Sequence, residues 1–420
     1  MTPEISAPAG LSAYQRLIVA LLAFLQFTIV LDFMVLSPLG AMIMPALKVP
    51  PTGFGLLVSA YAFSAGAAGL LAAGFTDRFD RRKLLLFFYA GFIVGTLLCA
   101  LAQSFVFLLV ARIVTGLFGG VIGSVVFAIT TDLFDYRLRG RVMGVVQAAF
   151  AASSVLGLPI GLYLANRWSW HAPFYLIVAT SLAVGVVIAV RVRPINAHLS
   201  LKPDRSPLHH FVHTISTPRY VQGFLATVLL TTGGFILLPF SSAFTVHNLG
   251  TPVDRLPLIY MVTGIVAMAL GPLIGRASDA IGKFKVFAMG SVATVSMVLI
   301  YTHLGLTPLR IVLLINVLLY VSVTSRMISS AALISAVPDP PDRGSYMAIS
   351  SSLQQISGGI AASVAGIIIE ERPDGFLVHM DILGYILVVT TLLTVIMMYY
   401  IGRRLEPPAA LSGVVVGGDA

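Results

Sequence analysis

Asp32 stands fifteen residues into an apolar run that begins at Leu17, and a helix rising 1.5 Å per residue would carry it ~22 Å along that run. A carboxylate at mid-membrane costs about 2.5–3.5 kcal/mol on the insertion scale, so its presence asks for a partner or a watery path. Arg112 lies seven residues into another apolar run, beginning at Phe105, which puts it ~10 Å in and close to the depth of Asp32. A guanidinium keeps its charge. Beside Asp32 it would hold the carboxylate ionised, and a proton or a cationic substrate would then compete for the site. Two plainer uses stay open: a purely structural ion pair for Asp32, and backbone-carbonyl ties for Arg112.

Other polar side chains interrupt the apolar runs at Gln26, Tyr61, Gln147, Asn316, Gln354 and Gln355. Each needs water or a partner, so the set is read as candidate cavity lining, against the competing use of interhelical hydrogen bonds worth ~0.6 kcal/mol each. Arg326 lies within reach of a helix end and reads as a snorkelling structural residue. His209-His210-x-x-His213 has metal-like spacing, but no acid or cysteine completes it and prolines flank it, so it reads as linker. No metal and no cofactor are expected. There is no G-x-x-x-x-G-K-[ST] loop for ATP, no H-E-x-x-H and no G-x-S-x-G, so neither ATP-driven work nor an enzyme is expected.

The elements that must position Asp32 and Arg112 follow from composition. Of 420 residues 58% are hydrophobic and 10% charged, against a charged fraction of about 25% in soluble domains. Apolar runs over 17–38, 53–75, 84–102, 105–130, 142–165, 172–190, 220–246, 256–275, 286–304, 308–333, 346–369 and 376–401 are each long enough to cross the bilayer as a helix. Helices are required, because an open strand in lipid leaves backbone groups unpaired. The first run is read as an uncleaved helix, since no basic segment precedes it. With the N-terminus inside, nineteen of the 26 Lys and Arg fall in cytoplasmic segments and five outside, which orients both termini to the cytoplasm. That spread over many loops also explains the net charge of +9 without a nucleic-acid partner.

The stretch from Arg191 to Pro218 divides the spans six and six, and the halves share landmarks. Asp77 corresponds to Asp279, Arg139-Gly140-x-x-Met143 to Arg343-Gly344-x-x-Met347, and Pro38 to Pro239, at offsets of 202, 204 and 201. The expected organisation is a six-helix bundle over 1–190, a linker over 191–218 and a second bundle over 219–420, related by a pseudo-two-fold axis along the membrane normal with a cavity between them. The helix-five segment Gly157, Pro159 and Gly161 would bend there, since proline removes a backbone bond and glycine removes bulk.

At these residues the chain resembles a known family. Ala73-Gly-Phe-Thr-Asp77-Arg78-Phe-Asp80-Arg81-Arg82-Lys83 is similar to the loop signature G-x-x-x-D-R-x-G-R-R-K of the major facilitator superfamily, with Ala73 and Asp80 in place of its glycines. Gly275-Arg-Ala-Ser-Asp279-Ala-Ile-Gly282-Lys283 resembles its second-half echo, and Leu108-x-x-x-Arg112-x-x-x-Gly116 the fourth-helix motif. Gly157-Leu-Pro159-Ile-Gly161 resembles a shortened fifth-helix antiporter motif, with Leu158 where a glycine is usual.

The resemblance implies an all-α membrane protein of twelve helices, of the drug or sugar efflux branch, exporting a small organic solute in exchange for protons. Asp77, Arg78, Arg81, Asp132 and Asp279 would form a cytoplasmic gate latching the two bundles. Asp32 would be the proton or cation site, and Arg112 its tuner. A monomer in the bacterial inner membrane is expected. The alternatives are an uncoupled facilitator or symporter of the same fold, and, in another class, a membrane sensor or membrane enzyme.

Overall fold

The computed structural model describes residues 11–72, 78–196, 199, 213–339 and 342–405. Its helices are α1 (Ala13–Val35), α2 (Gly40–Leu47), α3 (Pro51–Ala72), α4 (Arg81–Leu101), α5 (Phe105–Leu133), α6 (Tyr136–Ala152), α7 (Leu158–Arg167), α8 (Ala172–Arg191), α9 (Pro218–Phe235), α10 (Ser241–His247), α11 (Leu256–Ile281), α12 (Lys283–Thr302), α13 (Leu309–Ser335), α14 (Arg343–Ile368) and α15 (Met380–Leu405). A π turn, Ser153–Gly157, joins α6 to α7, and a short 3₁₀ turn, Leu238–Phe240, precedes α10. Counting α1 with α2, α6 with α7 and α9 with α10 gives twelve crossings among the described residues, eleven of them long and apolar enough to span a bilayer on composition alone. The remaining crossing, α14, carries Ser350, Ser352, Ser357 and paired glycines, and those residues are buried against other helices rather than exposed.

Local signals set the ends. Ser12 and Gln15 form a reciprocal capping box at the start of α1. The Asp80 carboxylate accepts from the Lys83 backbone N–H at 3.0 Å to open α4, and Ser104 accepts from Phe107 at 3.4 Å to open α5. Gly282, at φ 104°, supplies the left-handed turn between α11 and α12. Several helices run past the apolar windows read from the sequence, such as α11 to Ile281 and α13 to Ser335, because a helix does not stop where hydrocarbon does. One element was outside the all-helical reading: a small antiparallel hairpin of β1 (Glu370–Glu371) and β2 (Leu377–Val378). It is pinned by Asn248, which donates to the Leu377 carbonyl at 2.8 Å and accepts from its N–H at 2.9 Å.

The face holding the start of α1 and the end of α15 is the basic face; the other is the far face. At the far face the halves meet on two edges. Along one, Gly55 of α3 opposes Gly366 and Ala362 of α14, so that a Cβ at Gly55 would sit 2.6 Å from the Ala362 carbonyl oxygen. Nearby, Ser242 of α10 donates to the Ser37 carbonyl at 3.0 Å, and Phe54 meets Phe240 edge-on at 6.0 Å. On the other edge, Gly264 of α11 packs against Val155 in the π turn, and Asn166 donates to the Val253 carbonyl at 3.3 Å. Toward the basic face α3 and α14 stay together, with Gly66 and Gly69 on Ile356 and Ser352, whereas Gly144 of α6 and Gly271 and Gly275 of α11 face open space. The α6–α11 edge is therefore parted while the far face is shut.

Candidate functional site

Asp32 on α1 and Arg112 on α5 form an ion pair, Nη1 to Oδ2 at 2.8 Å, and the same nitrogen lies 3.4 Å from the Asp32 backbone oxygen. Thr96 of α4 donates to the other carboxylate oxygen at 3.2 Å. The Tyr61 ring on α3 covers the guanidinium, 4.5 Å from its centroid, so four helices of the first half enclose the pair. Small residues make this close approach possible: a Cβ at Gly116 would lie 3.0 Å from the Tyr61 Cα, and one at Gly119 would lie 3.0 Å from its hydroxyl. The charges are paired and hydrogen-bonded, which is what a low-dielectric site demands. The Arg112 Nε has no protein partner.

From the sequence, Asp32 asks for a partner or a watery path. The structure gives it the partner and encloses the pair, with 0% of Asp32 and 1% of Arg112 exposed. Two concave clefts, of about 440 and 190 Å³, both lie within the first half rather than between the halves. The larger sits at the far-face edge between α7 and α8 beside Trp168, His171 and Tyr175. The smaller runs between α1 and α8 by Thr28, Leu31, Gly157 and Thr180.

The other candidates scatter. Tyr61 is buried on Arg112 rather than lining a cavity. Asn316 donates to its own helix at Val312, 2.8 Å away. Gln147 is exposed; Gln26, Gln354 and Gln355 are half-buried, Gln355 lying by Gly66. In the basic-face cluster, Arg81 Nε meets Asp132 Oδ2 at 3.1 Å, joining the start of α4 to the end of α5. Both residues belong to the first half, so this bond braces that half instead of latching it to the other. Arg78 is exposed, Asp279 pairs with Lys283 at 3.7 Å on the surface, and Asp77 lies outside the described residues.

Gly157 packs against Leu31, where a Cβ would lie 2.7 Å from Cδ1. Pro159 and Gly161 are buried in α7, just past the π turn. Residues that the sequence did not single out complete the site: Thr96 by hydrogen bonding, and Phe33, whose ring lies 5.3 Å from Tyr61 and 5.8 Å from Phe235 of α9. Apolar aromatics in apolar runs carry no signal of their own. In the second half, Arg326 is buried over Phe287 at 5.9 Å, with Nε and Nη2 lacking protein partners, rather than snorkelling free.

A family model described as Major Facilitator Superfamily matches residues 22–362 and, in a second alignment, 223–415. The chain belongs to the major facilitator superfamily. Its members are transporters rather than enzymes. The chain is similar to the uncharacterised MFS-type transporter YceJ of Bacillus subtilis, 31% identical over 266 residues, covering 63% of this chain and 67% of YceJ. It also resembles multidrug resistance protein fnx1 of Schizosaccharomyces pombe, 31% identical over 137 residues, or 33% of this chain and 26% of fnx1.

Among solved structures, a bacterial homologue of the human lysosomal transporter Spinster, inward-facing and unoccupied, superposes with a TM-score of 0.70 at 15% identity, over 94% of this chain and 96% of that one. The nucleoside transporter NupG gives 0.71 at 14%, over 92% and 99%. Those likenesses show the major facilitator fold. The family match makes the chain a multi-pass membrane transporter of small molecules.

Proposed function

We propose that this major facilitator exports a small organic solute, drug-like or sugar-like, in exchange for protons, by alternating access of two six-helix halves in a bacterial inner membrane. The basic face is cytoplasmic and the transporter works as a monomer. The supporting observation is the Asp32–Arg112 pair, 2.8 Å apart in the membrane core of the first half, with Asn316 where the duplication would put a second arginine. An ion pair braced by Thr96 and one tyrosine face is a group whose proton affinity depends on whether the arginine stays. The shut far face and parted α6–α11 edge fit a conformation that opens toward the cytoplasm. The multidrug name of fnx1 and the NupG likeness favour small organic cargo.

Proton release in detergent across a compound panel, followed by uptake into vesicles under an imposed pH gradient, tests the reading. Substrate should release protons from the wild type and not from Asp32→Asn, and only the wild type should concentrate substrate. If Asp32→Asn still releases protons and still pumps uphill, Asp32 is not the coupling group. The complete enclosure of Asp32 favours a second reading, an uncoupled facilitator with a structural ion pair; such a protein gains nothing from the gradient.

A further inference from the structure

We propose that Phe33 and Phe235 form a two-part aromatic plug across the halves that shields Asp32, and that it opens when α9 withdraws from α1. The inference rests on the reading of Asp32 as a proton-carrying group. From the ion pair outward, each layer is a ring. Tyr61 lies on the Arg112 guanidinium at 4.5 Å, Phe33 lies on Tyr61 at 5.3 Å, and Phe235 of the other half lies on Phe33 at 5.8 Å. Phe33 follows Asp32 on α1 and is half-buried, and its ring links Tyr61, which covers the arginine partner of Asp32, to Phe235 across the seam.

Phe235 is positioned by Gly358 of α14, where a Cβ would lie 3.2 Å from the ring, and it ends α9 just before the chain turns toward the 3₁₀ segment. Its backbone and its Gly358 contact thus belong to second-half elements, while its ring reaches Phe33 of the first. Tyr61 is fixed by first-half glycines, Gly116 and Gly119. A movement of one half relative to the other thus separates Phe33 from Phe235 while leaving Tyr61 on Arg112. Offset and tilted ring pairs contribute attraction beyond their buried area, so this separation has a restoring force. The plug ties access to Asp32 to the relative position of the halves, which is the condition that coupled exchange requires.

Carbodiimide modification of Asp32, read by peptide mass in the detergent-solubilised full-length chain, measures that access directly. Wild type should react slowly, and Asp32→Asn should show no adduct on that peptide. Phe33→Ala and Phe235→Ala should each react about two- to tenfold faster, the range that loss of one aromatic pair gives. Phe63→Ala, which removes another cross-half ring packed on Gly359, should react like wild type. Phe33→Leu and Phe235→Leu serve if the alanine variants do not fold.

Unchanged rates in both plug variants overturn the proposal, as does an equal rise in Phe63→Ala, which marks general loosening. Wild-type Asp32 reacting as fast as Phe33→Ala overturns it too. Labelling reports access and gradient-driven transport reports coupling, so this inference and the antiport reading fail separately.

Discussion

Arg112 crosses from α5 to place Nη1 2.8 Å from a carboxylate oxygen of Asp32 on α1, and the partners lie 80 residues apart in sequence. Removing one member leaves the other charged and dry, which costs about 3–5 kcal/mol, whereas replacing both with apolar groups of similar size is often neutral. Arg112→Met is therefore expected to lower the melting temperature in detergent sharply, and Asp32→Leu with Arg112→Met to restore most of it. A double variant as unstable as Arg112→Met would show that the arginine acts by packing on Tyr61 and not through its partner.

Arg326 is the converse case. Its Nε and Nη2 have no protein partners and its side chain is buried on Phe287. The charge contributes an uncompensated desolvation cost, so Arg326→Met should leave thermal stability unchanged or raise it by about 1 kcal/mol, opposite in sign to Arg112→Met. A thermal melt of purified protein decides between the signs.

A Cβ at Gly157 would lie 2.7 Å from the Leu31 Cδ1, so a side chain there forces Leu31 to shift. Gly157→Val overpacks that contact and should cost about 1–3 kcal/mol. Leu31→Ala in the same chain should recover part of the loss, a coupling that a double-mutant cycle of melting temperatures measures.

Gly55 controls the far-face edge. A branched side chain there meets the Ala362 carbonyl and the Gly366 backbone, neither of which can yield by rotating. Gly55→Val should hold α3 and α14 apart. With Ser242→Cys as reporter, buried in the wild-type seam, maleimide labelling should rise several-fold. Unchanged labelling would mean that the seam closes without the α3–α14 crossing.

Much of the fold was legible because a bilayer makes helical spans a matter of apolar length, and the depth of Asp32 and Arg112 followed from residue counting. The resemblance at Asp77–Lys83 and at Leu108–Gly116 pointed to the same family. What residue counting lacks is azimuth. It could not say that Tyr61 turns onto Arg112, that Asn316 bonds back to its own helix, or that Phe33 meets Phe235 across the seam. The pairing of Arg81 with Asp132 was foreseen as part of a latch between halves. Both residues fall within 1–190, and what the coordinates add is that Arg81 of α4 reaches Asp132 at the end of α5, since the spacing of four between Asp77 and Arg81 says nothing about α5. The hairpin at Glu370–Val378 escaped because its strands are two residues long and held by Asn248, 129 positions away from Leu377.

The π turn at Ser153–Gly157 adds a residue that a regular helix would not need, and each residue of helix is ~100° of rotation. Everything beyond it on α7, including the Asn166 amide that reaches Val253, takes its aim from that extra residue. Deleting any one of the five would leave length and hydropathy almost untouched yet turn α7 away from α11. The lock on that edge is arithmetical, and a frame of one amino acid is enough to pick it.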